Sequence, residues 1–216
     1  MNKTIAALAL ALAAVIATPV HAQPDGHASI GAGLRFNDFA DKSFSSKNPS
    51  IAPEYHFSLH GSKKEGLGYG WRGGIGYSNV DRQDLIGGVP THSGSLRMLP
   101  VMVGAGPTYR TGPLRVGMGV AVGPSFNKFT IDDAARAAYH DRLGATIASV
   151  DVHNSVAVRP DASLWYNLTS RVGVHTSVSY TFNRPVVETT VDGVTTSTRW
   201  KTDRLGYQAG FVFGVF

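Results

Sequence analysis

The stretch Gly206-Tyr-Gln-Ala-Gly-Phe-Val-Phe-Gly-Val-Phe216 alternates bulky apolar residues with small or polar ones. A period of two is that of a β-strand with one apolar face. In a water-soluble protein a second layer of the fold must cover that face, whereas in an outer membrane the lipid covers it. The rest of the chain indicates which of the two cases applies.

The N-terminus has the pattern of a secretory signal peptide. Lys3 precedes an apolar run from Ile5 to Ala17, and Val20-His21-Ala22 offers small residues for cleavage. The run is too short for a transmembrane helix and has the wrong flanks for one. The sequence therefore predicts a signal peptide over residues 1–22 and one exported domain over residues 23–216.

The composition narrows the classes of function. The 216 residues include no cysteine, 25 glycines and only 16% charged residues, with a formal net charge of +5. Without cysteine there are neither disulfides nor thiolate metal sites, and the lone loop histidines lack metal-ligand spacing, so no metal site and no cofactor are predicted. No basic cluster is interleaved with aromatic residues, so no nucleic-acid binding is expected.

Alternation recurs along the whole exported chain. Each alternating stretch is long enough for the roughly 9–11 residues that cross a bilayer as a tilted strand. There are eight of them: His27–Phe36, Ser50–His60, Leu67–Ser78, Ser95–Arg110, Leu114–Phe126, Ser155–Asn167, Arg171–Phe182 and Gly206–Phe216.

One face of each stretch is bulky, and the other is small or polar. In the third stretch, for example, Tyr69 and Trp71 oppose Gly70 and Arg72. A soluble sandwich needs bulky residues inside, because glycines there would leave a void. In a narrow transmembrane barrel the order inverts, since bulky residues meet lipid and small ones share the lumen.

The connections between stretches alternate strictly in length. The short ones are Gly61–Gly66, Thr111–Pro113 and Leu168–Ser170, and the long ones are Asn37–Pro49, Asn79–Gly94, Asn127–Asn154 and Asn183–Leu205. This pattern predicts an all-β fold, an eight-stranded antiparallel up-and-down transmembrane β-barrel with short periplasmic turns and long extracellular loops. The predicted location is the cell outer membrane.

Two of the long loops carry structure signals. Thr130–Asp133 resembles a capping box, and Ala134–Leu143 is rich in helix formers before Gly144, so a short helix is predicted. Asp192-Gly193 lies between two strand-like runs, Val186–Val191 and Val194–Arg199, which predicts a two-residue hairpin.

A family resemblance rests on the fourth and fifth stretches. Ala105-Gly106-Pro107-Thr108-Tyr109-Arg110, followed by Val116–Gly123, resembles the corresponding hairpin of the OmpX/Ail family within the OmpA-like outer-membrane barrels. The resemblance implies adhesion or stress-resistance roles and insertion by the outer-membrane assembly machinery, with Phe216 as the assembly signal. Gly214 departs from the family, which has an aromatic residue at that position.

The lumen face carries several ionisable residues. We predict an ion network there, with an ion pair between Glu54 and Arg72; its members are Arg35, Glu54, Arg72, Arg159 and Asp161. Buried charges must be paired or they are costly, so the network is interpreted as structural. A polar plug that opens to pass ions is the alternative.

The predicted function is a structural or surface-interaction role in adhesion or envelope integrity, with a closed polar lumen and no enzyme activity. His175, Ser177 and Glu188 resemble the set of a lipid A deacylase, which is one alternative; a narrow channel and a carrier of a small apolar ligand are others. The expected partners are outer-membrane lipids and lipopolysaccharide, with the extracellular ligand left open and a monomeric state. Cations placed to meet lipopolysaccharide phosphates are Lys42, Lys47, Lys128, Arg136, Arg142, Arg199 and Lys201.

Overall fold

Antiparallel strands make up most of the computed structural model, which describes residues 28–44, 50–60 and 65–214. In this part of the chain there is one helix, α1 (Asp133–Leu143). The strands of the same part are β1 (Ala28–Phe39), β2 (Ser50–His60), β3 (Gly66–Gly76), β4 (Ser78–Ile86), β5 (Val89–Thr111), β6 (Leu114–Ile131), β7 (Ile147–Val152), β8 (Ser155–Asn167), β9 (Val172–Asn183), β10 (Val186–Val191), β11 (Val194–Arg199) and β12 (Arg204–Gly214).

Eight of these strands close into a ring, in which each strand pairs with two neighbours. The order around the ring is β1, β2, β3, β5, β6, β8, β9 and β12, and β12 pairs back to β1. Every pairing in the ring is antiparallel. The predicted eight-stranded antiparallel barrel is therefore confirmed.

The ring strands correspond one to one to the eight alternating stretches. The bounds of β2 and β8 are those predicted, and the other strands differ by a few residues at their ends. The stretch quoted first forms β12, of which the structure describes Arg204–Gly214. The predicted signal peptide and Phe216 lie outside the described residues.

The outer face of the ring is apolar over a height that suits a membrane. Large side chains that face outward are exposed, as in Leu67, Trp71 and Phe211 at 78%, 56% and 57%. Along β5 the outward apolar side runs from Leu99 to Tyr109. Ten residues of a strand tilted by roughly 40° rise about 26 Å, close to the ~25 Å apolar band of outer-membrane barrels.

Strands β5 and β6 continue well beyond this band. β5 has 23 residues and β6 has 18, and the outer half of β5 pairs with β4. The sequence places residues 79–94 in a loop, which is wrong: they form a hairpin that extends the barrel wall. Its turn is Gly87-Gly88, with φ of 60° and 80° between the paired Ile86 and Val89, and this is a two-residue turn that glycine favours.

A second sheet lies among the long loops. It has three strands in the order β11, β10, β7. The predicted hairpin at Asp192-Gly193 is confirmed, with φ of 49° and 78°. The predicted helix is also confirmed as α1, which ends at Gly144 in the left-handed conformation. Within the described ranges no helix has the length and apolar character needed to cross a bilayer.

Candidate functional site: a closed lumen beneath an ordered extracellular module

The middle of the lumen is crossed by hydrogen-bonded charges, which we call the polar layer. Arg72 of β3 donates to Asp161 and, at 2.9 Å, to Oγ of Ser163 on β8. Arg35 of β1 donates to Oγ of Ser179 at 2.7 Å and to Oε1 of Gln208 at 3.1 Å. The Arg72 bonds join β3 to β8, which β5 and β6 separate in the ring, so they brace the barrel across its lumen. The Arg35 bonds run along the wall, to the adjacent strand β12 and to β9 beyond it.

Four of the five predicted network residues lie in or beside this layer. Arg35, Arg72, Arg159 and Asp161 line one cavity of about 30 Å³ together with Gln208 and His175. The predicted partner of Arg72 was Glu54, but the structure pairs Arg72 with Asp161. In the register Glu54 is opposite Gly76 whereas Arg72 is opposite Ser58. The side chain of Glu54 lies outside the described part, so a contact made by it stays a prediction.

Nearer the periplasmic turns, an aromatic stack fills the lumen. The rings of Trp165 and His175 are stacked, with centroids 4.9 Å apart and planes at 30° to each other, and both side chains are buried. Ser177 donates to Oε1 of Gln208 at 3.2 Å. Glu188 lies in the outer sheet, 3.3 Å from Nε2 of His153. The structure therefore does not bring Glu188 together with His175 and Ser177, the set considered for ester hydrolysis.

Above the polar layer the lumen is filled by apolar side chains, which we call the apolar plug. Leu96 and Met98 of β5 are fully buried within it. Phe129, Val152 and Trp200 pack around it, and its members are Phe39, Phe44, Val80, Leu96 and Met98. Bulky residues are thus inside the barrel at its outer end, where the extracellular loops fold over it.

A cation closes the plug toward the outside. The guanidinium carbon of Arg82 lies 4.0 Å from the ring centroid of Trp200 and 4.9 Å from that of Phe44. The same guanidinium binds both carboxylate oxygens of Asp84 at 2.7 to 3.0 Å. Alternation does not predict this role, because Arg82 and Trp200 lie in segments read as loops.

The loops above the plug form a packed unit, the extracellular module, which consists of β4, the outer parts of β5 and β6, α1, and the β7–β10–β11 sheet. Ala135 and Ala138 of α1 pack on the fully buried Ile86 of β4. Burial raises the pKa of the nearby Tyr139, and the Asp84 carboxylate raises it further. At the helix start, Asp132 accepts from His92 at 2.5 Å, which ties the helix to β5.

Comparison with known proteins finds solved structures of the same architecture. No protein-family model and no curated protein matches the sequence. OprG from Pseudomonas aeruginosa matches with a TM-score of 0.63 at 14% identity, over 86% of this chain and 94% of that one. AlkL, solved in lipid bilayers, has a TM-score of 0.55 at 14% identity, over 91% and 94%. Outer membrane protein W of E. coli has 0.51 at 12%, over 88% and 97%.

The match extends over almost the full length of each of these structures, all of which are outer membrane proteins. At such low identity it establishes the fold and leaves the specific resemblance to OmpX/Ail a prediction. Together with the apolar outer band and the closed ring of strands, it identifies the chain as a small eight-stranded β-barrel protein of the outer membrane.

Proposed function

We propose that this protein is a non-conducting barrel that presents the extracellular module to partners at the cell surface. The observation that carries this proposal is the filling of the lumen at two levels, by the polar layer and by the apolar plug. The two cavities described around Arg35 and Arg159 measure about 20 and 30 Å³. Spaces of that size hold only one or two waters each.

The module offers a surface suited to binding. All six residues of β11, Val194–Arg199, are exposed, and among the described strands β11 pairs only with β10. Its other edge presents backbone N–H and C=O groups, and Val194–Thr198 carry no charge that would discourage pairing. An extended polypeptide can add to such an edge as a further strand.

The other expected partners belong to the same proposal. We propose contact with lipopolysaccharide through the exposed loop cations, and insertion by the assembly machinery through Phe216. Two of the predicted cations are also used internally: Arg136 donates to the carbonyl of Ile147 at 2.9 Å, and Arg142 donates to Oγ1 of Thr91 at 3.0 Å. Lys42, Lys128, Arg199 and Lys201 are therefore the better placed of the described set.

Conductance measurements test the closed lumen. Pure protein in planar bilayers is expected to give no discrete openings. The comparison is the triple variant Arg72→Gly with Arg159→Gly and Asp161→Gly, which removes three charges from the polar layer and leaves the apolar plug intact. Heat-modifiable gel migration shows whether this variant is folded. Stepwise openings of the wild-type protein would contradict a closed lumen.

Adherence measurements test the surface role. Cells that display the protein are expected to bind an immobilised unfolded polypeptide such as casein better than cells that lack it. Thr195→Lys with Ser197→Lys places charges on β11 and is expected to remove this gain. The matched control is Asn79→Lys with Thr130→Lys, which adds the same charge at exposed positions of β4 and β6, away from β11. Equal binding by cells with and without the protein would count against the proposal.

A further inference from the structure

Two cations lie opposite each other on the outer wall of the barrel. Arg97 of β5 and Lys128 of β6 are direct partners in the strand register, and both side chains are exposed. Cβ atoms of such partners are about 5 Å apart, and like charges in this position destabilise a sheet. An anion between the two charges would reverse that effect.

Among the described residues, no carboxylate neutralises these two charges. Neither Arg97 nor Lys128 has an ion pair or a side-chain hydrogen bond with any residue that the structure describes. Asn79 is the neutral neighbour of Arg97 on β4. Two residues further along β4, Oδ1 of Asp81 lies 3.5 Å from Nε2 of His92.

The pair marks the outer limit of the apolar band. The next outward positions toward the periplasm are the partners Leu99 and Phe126, which are 40% and 47% exposed. On β5 and β6 the outward row beyond them is Arg97 with Lys128. In a bilayer this is the depth at which hydrocarbon gives way to headgroups.

We propose that Arg97 and Lys128 form a binding site for a phosphate group on a lipid headgroup of the outer leaflet, which is lipopolysaccharide in a Gram-negative outer membrane. This deepens the proposed lipopolysaccharide contact and rests on it. The guanidinium of Arg97 provides a donor fork and the ammonium of Lys128 a point charge, so one phosphate accepts from both. The acyl chains of the same lipid then lie against Leu99 and Phe126.

Lipid binding to the full chain in detergent, followed by native mass spectrometry, tests the site. Wild-type protein is expected to hold bisphosphorylated lipid A about tenfold more tightly than dephosphorylated lipid A, since charge-assisted hydrogen bonds are the strong ones. Arg97→Ala with Lys128→Ala is expected to remove this preference, whereas Arg97→Lys retains most of it. Arg110→Ala with Arg171→Ala removes the same charge at the periplasmic end and should leave the preference unchanged.

Several outcomes would overturn the proposal. An unchanged preference in the Arg97→Ala, Lys128→Ala variant, with heat-modifiable migration confirming its fold, would exclude the site. Equal binding of the dephosphorylated lipid would exclude phosphate as the group recognised. Displacement of lipid A by an equal concentration of inorganic phosphate would indicate a free-anion site instead. Conductance and adherence measure the proposed function separately, so a failure of the lipid-binding test can be distinguished from a failure of the proposed function.

Discussion

Arg72 and Asp161 form the ion pair at the centre of the polar layer, and their side chains are 13% and 6% exposed. Asp161→Ala leaves the Arg72 guanidinium buried without its carboxylate. Removing one partner of a buried pair typically costs about 3–5 kcal/mol. We expect a loss of this size in the free energy of unfolding, measured by urea denaturation of the barrel in detergent micelles.

The control for this prediction is Asp141→Asn on α1, where the carboxylate is 74% exposed beside His140. Its effect should be near zero. Replacing both partners, Arg72→Ala with Asp161→Ala, is expected to cost less than Asp161→Ala alone. If the single variant is as stable as wild type, Asp161 does not hold the layer together.

Individual residues of the layer were predictable, but the bond between Arg72 and Asp161 was not. Alternation places Arg72 and Asp161 on the lumen face without any knowledge of the ring. Their pairing depends on closure, because β5 and β6 separate β3 from β8 around the wall. Reasoning from neighbouring strands pairs Arg72 with Glu54, a contact that stays a prediction, and it does not find the bond to Asp161 across the lumen.

The β5–β6 hairpin depends on glycines that let two backbones approach. A Cβ added at Gly106 would overlap the carbonyl oxygen of Met118 and the Cα of Gly119 on the facing strand. Gly106→Ala therefore forces the strands apart, and overpacking of this kind costs about 1–3 kcal/mol. We expect a lower urea midpoint and slower appearance of the folded band during refolding.

Gly214→Ala is the matched control on another ring strand. The nearest atom to its added Cβ is 3.8 Å away, which is an ordinary contact. Stability should change by less than about 0.5 kcal/mol, as for a substitution without a packing conflict. Equal destabilisation by both variants would show that glycine itself, rather than close approach, matters at these positions.

Elements outside the lipid were only partly predictable. The helix and the Asp192-Gly193 hairpin have strong local signals, so local reasoning found them. Strand β7 has its register with β10, about 40 residues later in the chain, and such pairing has no local signature. The β4–β5 hairpin was not predicted although Ile86-Gly-Gly-Val89 carries a turn signal, because a register shift between Arg82 and Gln83 interrupts the alternation.

At the scale of the whole molecule, the closed ring predicts heat-modifiable behaviour. Unboiled protein in the membrane fraction should migrate on a gel as a compact band, and boiling should shift it. The reason is that each ring strand has both edges paired, so no unpaired edge is left at which detergent can begin to unfold the barrel. A mobility that does not change on boiling would contradict the fold.

The fold itself was readable from the sequence because lipid imposes a simple rule. Every spanning strand must turn its apolar side chains to lipid, so the eight stretches alternate, and outer-membrane barrels typically join them by short turns and long loops in turn. The filling of the lumen follows no such rule. Phe39, Phe44 and Trp200 reach the apolar plug from two loops and a strand end, which only the folded chain brings together.

Closure of the ring also determines the order in which its strands can pair. Ser29 of β1 and Gly214 of β12 are register partners from the first and last ring strands, whereas every other ring contact joins one ring strand to the next ring strand along the chain. One edge of β1 therefore stays unpaired until the last ring strand, β12, is present. An edge left open for that interval can pair with other copies of the chain, so aggregation before closure is expected to limit the yield of folded barrel.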